Sequence, residues 1–260
     1  MADEKQPSLT AADLPELVRR IRARTPARIL QGRAGAAYRT GTQLELRAAH
    51  AAARDAVDAE LELEAALGAE FVAQWRLFEV ATEARSKQEF LLEPDRGRRF
   101  SPAARGEIAK RCSAGADVQI AIGDGLSVTA VKAQVPSLLP LLIEGARSRA
   151  WAVGHAFVIR HCRVGVLNEI GDLLAPQVAI LLIGERPGLA TAESLSAYMA
   201  CRPRAGHTDA NRNLVSNIHA RGLSAPAAAA RILNLAAQMM KMGASGFGVR
   251  EDVTAIGQRP

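Results

Sequence analysis

Residues 178–183 read VAILLI, six apolar residues without interruption, and they stop at Gly184 before the charged turn Glu185-Arg186-Pro187-Gly188. A short apolar run bounded by turn residues is the signature of a buried strand. Two more segments share that grammar. DVQIAIGDGLS (117–127) breaks at Gly123-Asp124-Gly125 and leads into a helix, and AVGHAFVIRHCRVG (152–165) has strand composition. Helices are expected between them. LLPLLIEGARSRA follows Pro136-Ser137 as a separate helix, and residues 225–242 form another, capped by Ser224 and ended by Gly243. A last strand is expected within SGFGVRE (245–251). Strands of about six residues alternating with helices imply an α/β fold, a Rossmann-like doubly wound parallel sheet, assigned to residues 113–260.

The first part of the chain follows a different pattern. Leu14, Leu17, Val18 and Ile21 fall at helical spacing within 13–25, and the Ala-rich stretch 41–67 reads as one long helix with Thr42 as N-cap. Gly32 to Gly35 interrupt between the two. A turn begins at Pro94-Asp95, and Ser101-Pro102 reads as an N-cap followed by a first-turn proline. The expected organisation is a polar tail at 1–12, a helical N-terminal region at 13–112 and the sheet domain at 113–260.

Composition narrows the function. At 260 residues the chain can bury a sizeable core, and with aromatics at 4% that core should be largely aliphatic. The net charge of +6 is spread too evenly to name nucleic acid as a partner. No apolar run approaches the roughly 20 residues of a membrane span, and the N-terminus lacks a secretory apolar core. Cys112, Cys162 and Cys201 are far apart and odd in number, as expected of reduced thiols. The five histidines have no metal-ligand spacing, so no protein-held metal is expected.

The glycine-containing turns carry the chemistry. Gly123-Asp124-Gly125, Gly184 to Gly188 and the segment after Val164 each follow an expected strand, and parallel strands deliver such turns to one edge, where ligands bind. Glu185 can accept from ligand amides, and Arg186 can meet phosphate or carboxylate. The competing reading is a Glu185–Arg186 pair that merely braces a surface turn. No P-loop, nucleophile elbow or paired catalytic carboxylates occur, and GASGFG (243–248) follows a helix, the wrong context for a dinucleotide turn. No catalytic residue is assigned. The residues describe a binding subunit more than a complete catalyst.

Five blocks occur in an order that resembles a known family. They are GRAG (32–35), PDRGRR (94–99), DVQIAIGDGLS (117–127), ILLIGERPGLATAESLSAY (180–198) and RNLVSNIHARGLS (212–224). Together they resemble the small (light) chain of ethanolamine ammonia-lyase, across residues 13 to 249. The resemblance implies the small subunit of an adenosylcobalamin-dependent lyase that converts ethanolamine to acetaldehyde and ammonia by radical rearrangement. It implies a large barrel-forming subunit as partner in a hetero-oligomer, inactivity of the single chain, and cobalamin held at the interface of the two. The corrin contacts of the family fall on Val164, Glu185 and Leu214. At 214 the family commonly has cysteine within R-x-C-I-S-N-I, whereas this chain reads RNLVSNI. The implied location is the cytoplasm or the interior of a bacterial microcompartment, although only about a dozen polar residues precede the resemblance. Two other classes stay open: a self-sufficient Rossmann-type enzyme with a nucleotide-like ligand, and a non-catalytic assembly protein whose GERPGL turn contacts another protein.

Overall fold

The computed structural model describes residues 14–25, 27–188 and 190–251. The tail expected at 1–12 and the final residues 252–260 lie outside the described residues. The chain begins with helix α1 (Leu14–Ala23), a two-residue hairpin of β1 (Arg33–Ala34) and β2 (Ala37–Tyr38), and helix α2 (Thr40–Asp58). The stretch 41–67 is not one helix. It breaks after Asp58 and resumes as α3 (Leu63–Leu67) and α4 (Ala69–Gln74). The N-cap of α2 is Arg39, so Thr42 lies inside the helix.

Strand β3 (Glu79–Ala81) comes next, then α5 (Lys87–Leu92) and α6 (Pro102–Arg111), which starts as expected with Ser101 Oγ accepting from Ala104 N and Pro102 in the first turn. The rest of the chain runs β4 (Val118–Gly123), α7 (Val128–Arg147), β5 (Phe157–Arg160), α8 (Leu167–Leu174) and β6 (Val178–Gly184). It ends with β7 (Leu195–Cys201), β8 (Asn213–Ile218) and α9 (Ala225–Met242).

Six strands form one sheet in the order β3-β5-β4-β6-β7-β8. The first four are parallel, but β7 pairs antiparallel with β6 and β8 antiparallel with β7. The fold is therefore α/β with a mixed sheet, which corrects the expectation of a parallel one. The reason is connection length. Among the described residues no α-helix separates β6 from β7, or β7 from β8, so neither strand can return parallel to its neighbour without a crossover.

The two central strands are buried on both faces, as their unbroken apolar runs require. Val178, Ile180 and Leu182 of β6 join the core shared with α7 and α9, while Ala179, Leu181 and Ile183 join the opposite core with residues of α6 and α8. Successive residues of one strand thus serve two helical layers, with the strand period of two deciding which.

α7 corrects a second expectation. Pro136 and Pro140 lie inside one continuous 20-residue helix instead of starting a new one. Each removes a backbone donor, yet Val131, Val135, Leu138, Leu139 and Leu142 are fully buried, and packing outweighs the local cost. The strand expected within 245–251 is a single tight turn at Gly246–Gly248. Gly246 has φ +85, and a Cβ there would sit 1.9 Å from Ala210 O, so this segment packs against the 209–211 turn and does not extend the sheet. Among the described residues no helix is long and apolar enough to cross a membrane.

Candidate functional site

The chain leaves β4 toward β5 on one side and leaves β6 toward β7 on the other, so these neighbouring parallel strands diverge at their C-terminal ends. Such a divergence opens a crevice in an α/β sheet. A cavity of about 360 Å³ lies there, lined by Gly125 and Leu126 after β4, Cys162 to Val164 after β5, and Gly184 to Arg186 after β6. The turns after β4 and β6 named from the sequence do converge here, whereas the segment after Val164 borders the neighbouring groove through Gly165 and Asn168. Ser196, Tyr198, Leu214 and Ser216 close the remaining wall from β7 and β8. A wider groove of about 880 Å³ continues past Arg163, Val164, Tyr198 and Leu214, which line both spaces.

The first two turns are fastened to each other. Leu126 N donates to Gly184 O at 3.1 Å, and a Cβ on Gly184 would lie 2.1 Å from Ser127 O, so only glycine permits this approach. Asp124, fully buried, accepts from His161 N and Cys162 N, both at 2.8 Å, and so ties the exit of β4 to the exit of β5. Burial pushes the Asp124 carboxyl up, while the Lys87 ammonium and the two backbone donors hold it toward the charged form. His161 stands 2.9 Å from Ala84 O through Nδ1 and 3.1 Å from Glu60 through Nε2.

Glu185 is held by the antiparallel strands. Ser194 Oγ donates to its Oε2 at 2.8 Å, Ser196 Oγ to its Oε1 at 2.5 Å, and Asn217 N to the same Oε1 at 3.1 Å. A β-bulge makes the last of these possible. Leu195 pairs with Ile218 and Ala197 with Val215, so Ser216 and Asn217 together face Ser196. The extra residue leaves the ladder, and Asn217, at φ +62, turns its N–H to the carboxylate. The braced-turn reading is thus half right in its physics but wrong in its partner, since no bond joins Glu185 to Arg186. A carboxylate offers about four acceptor positions, and three are used, which leaves one on Oε2.

Val164, Glu185 and Leu214 all line this one cavity. Leu214 is 46% exposed and points its apolar side chain outward from β8. Ser194, Ser196, Tyr198, Asn217 and Arg163 were not singled out from the sequence. A signal existed for the first three: Ser194, Ser196 and Tyr198 alternate with buried Leu195, Ala197 and Met199, which is the period of a strand. The three cysteines are free and buried, and burial pushes the Cys112 thiol up to about 11. Among the described residues no group of three or more His, Cys, Asp or Glu could hold a metal ion.

Fold and cavity define an α/β protein with a solvent-open cavity at the C-terminal ends of its parallel strands. The model of the family described as ethanolamine ammonia-lyase light chain (EutC) matches residues 15–250. The chain belongs to that family. It is 38% identical over 260 residues to the ethanolamine ammonia-lyase small subunit of Clostridium perfringens, covering 96% of this chain and 86% of that one. It is 39% identical over 230 residues to that of Clostridioides difficile, with 88% and 76% covered. The Clostridium acetobutylicum protein of the same name is 38% identical, with 88% and 93% covered.

Proposed function

We propose that this chain is the small subunit of an adenosylcobalamin-dependent ethanolamine ammonia-lyase, and that the edge formed by Val164, Glu185 and Leu214 holds the corrin against a large barrel-forming subunit. One observation carries the reading: in a chain of this family, three distant positions and two glycine-containing turns share one cavity. The residues suit the group. A corrin is a broad macrocycle edged with amide side chains, and it needs apolar contact, acceptors for amide N–H and donors for amide oxygen. Val164 and Leu214 supply the first, the Glu185 carboxylate the second, and the hydroxyls of Tyr198 and Ser216 the third.

Bound there, adenosylcobalamin supplies the radical chemistry that turns ethanolamine into acetaldehyde and ammonia. This chain's residues orient and seal. Ser194, Ser196 and Asn217 fix Glu185 before the ligand arrives, so little reorganisation is needed on binding. Asp124 keeps the β4 and β5 turns in register beneath it. The complex is a hetero-oligomer, located in the cytoplasm or a bacterial microcompartment.

The test is reconstitution. The purified chain alone should form no acetaldehyde from ethanolamine and adenosylcobalamin, and should do so when mixed with the large subunit. Activity of the single chain would end the reading. A co-purified complex without cobalamin absorbance after incubation with the cofactor would favour a non-catalytic assembly protein.

A further inference from the structure

The motif PDRGRR (94–99) carries part of the family likeness but has no role in the site described above. In the fold, its tight turn at Arg96–Arg98 packs against the turn that follows β5, with Arg163 N donating to Gly97 O at 2.8 Å. Two glycines let two arginine stems cross there. A Cβ on Gly97 would lie 2.6 Å from Arg163 Cγ, and a Cβ on Gly165 would lie 2.8 Å from Arg98 Cγ. Each arginine is therefore laid across the other's loop, and neither is free to swing away.

Arg163 stacks over Phe90, 4.2 Å from the ring centre, and one Nη donates to Phe90 O at 3.0 Å. Its Nε is buried with no partner among the described residues. Arg163 lines both spaces, with Arg98 beside it on the wide groove and Arg186 beside it on the cavity. Among the described residues Arg186 has no hydrogen-bond or ion-pair partner, and Arg98 has only the exposed Asp95, at 2.8 Å.

The carboxylates on these walls are engaged elsewhere. Glu169 is taken by Arg105 and Phe100 N, Asp209 by Arg212, Asp172 accepts from Ala205 N at 3.2 Å, and Glu185 is held by the seam described above. Burial lowers the Arg163 pKa, and the charges of Arg186 and then Arg98 push it the same way. Like charges held together at a half-buried edge are destabilising until an anion joins them.

We propose that Arg98, Arg163 and Arg186 form an anion site for a phosphate ester. A guanidinium fork matches phosphate oxygens, and three forks converging from different loops can surround one phosphate. Two sources share this chemistry: the phosphodiester in the nucleotide tail of adenosylcobalamin, and free phosphate. The first rests on the cofactor reading above and extends it, while the second does not need it.

The experiment separates them. The assembled complex, native and as Arg163→Gln and Arg186→Gln, is titrated with adenosylcobalamin and with adenosylcobinamide, which lacks the phosphate-bearing tail, following absorbance. In parallel, the Tm of each single chain is read with and without inorganic phosphate. For the cofactor source, either variant should weaken cobalamin binding by about ten- to a hundredfold and leave cobinamide within about twofold. For free phosphate, phosphate should raise the Tm of the native chain and not of the variants, with both corrinoids bound equally by all. Equal losses for both corrinoids together with no phosphate effect on the native Tm would overturn the proposal. So would unchanged binding of both corrinoids with no such effect. If the native complex binds neither corrinoid, the cofactor reading has failed, and the phosphate arm alone decides the anion site.

Discussion

The two sides of the sheet solve the same problem by different means. On the parallel side, β4, β5 and β6 end in backbone turns, and the site gains shape from Gly125 and Gly184, where a side chain would collide with neighbouring carbonyls. On the antiparallel side, β7 and β8 bring side chains and a bulge, and the site gains polarity from Ser194, Ser196 and Asn217. Glu185 stands on the boundary, last out of the parallel set and bound entirely by the antiparallel one. The parallel half thus makes the crevice, and the antiparallel half supplies the groups that hold Glu185 in its wall. Stability should therefore reside mainly on the parallel side.

Three substitutions can break or sharpen that division, in falling order of effect on stability. Leu182 is fully buried in β6, between α7 and the strands beside it. Leu182→Ala should cost about 2–5 kcal/mol in chemical denaturation. A cost below ~1 kcal/mol would mean the parallel core is looser than its burial implies. Ser196→Ala removes one hydroxyl from the Glu185 carboxylate and should cost about 1–2 kcal/mol in the same measurement. A cost equal to that of Leu182→Ala would erase the contrast between the two sides. Leu214 is exposed in the single chain, so Leu214→Cys should change stability by no more than about 0.5 kcal/mol. In the assembled complex it should change adenosylcobalamin affinity by less than about tenfold, because a contact through the β8 backbone survives the exchange. A larger gain would show that the thiol common in the family matters in itself.

What the sequence made legible follows the same line. The runs VQIAIG and VAILLIG announced β4 and β6 because a strand buried on both faces has no other way to be written. The caps at Ser101 and Gly243 were equally plain, since one demands a side-chain acceptor and the other a left-handed residue. β7 and β8 were quoted as family blocks but not read as strands. Their message is a weak alternation, and its meaning depends on Glu185, which approaches from another strand. The prolines of α7 misled because local propensity cannot register a helix buried along most of its length. At the site, Val164, Glu185 and Leu214 were found through family likeness. The grip on Glu185 was not, because a bulge leaves no mark except an asparagine at positive φ.

The central claim is that Glu185, fixed by the antiparallel seam, presents a free acceptor to the cofactor. Adenosylcobalamin titration of the assembled complex tests it most directly, with assembly checked by gel filtration. Glu185→Gln keeps one carbonyl oxygen for Asn217 N and Ser196, and its amide can donate to Ser194, so the seam should hold. Glu185→Ala removes every acceptor. Ala should weaken binding by about ten- to a hundredfold in an intact complex, and Gln, whose one carbonyl oxygen is spent on the seam, should weaken it as well. Native affinity in an intact Glu185→Ala complex would contradict it, and would reduce Glu185 to a brace for its own turn.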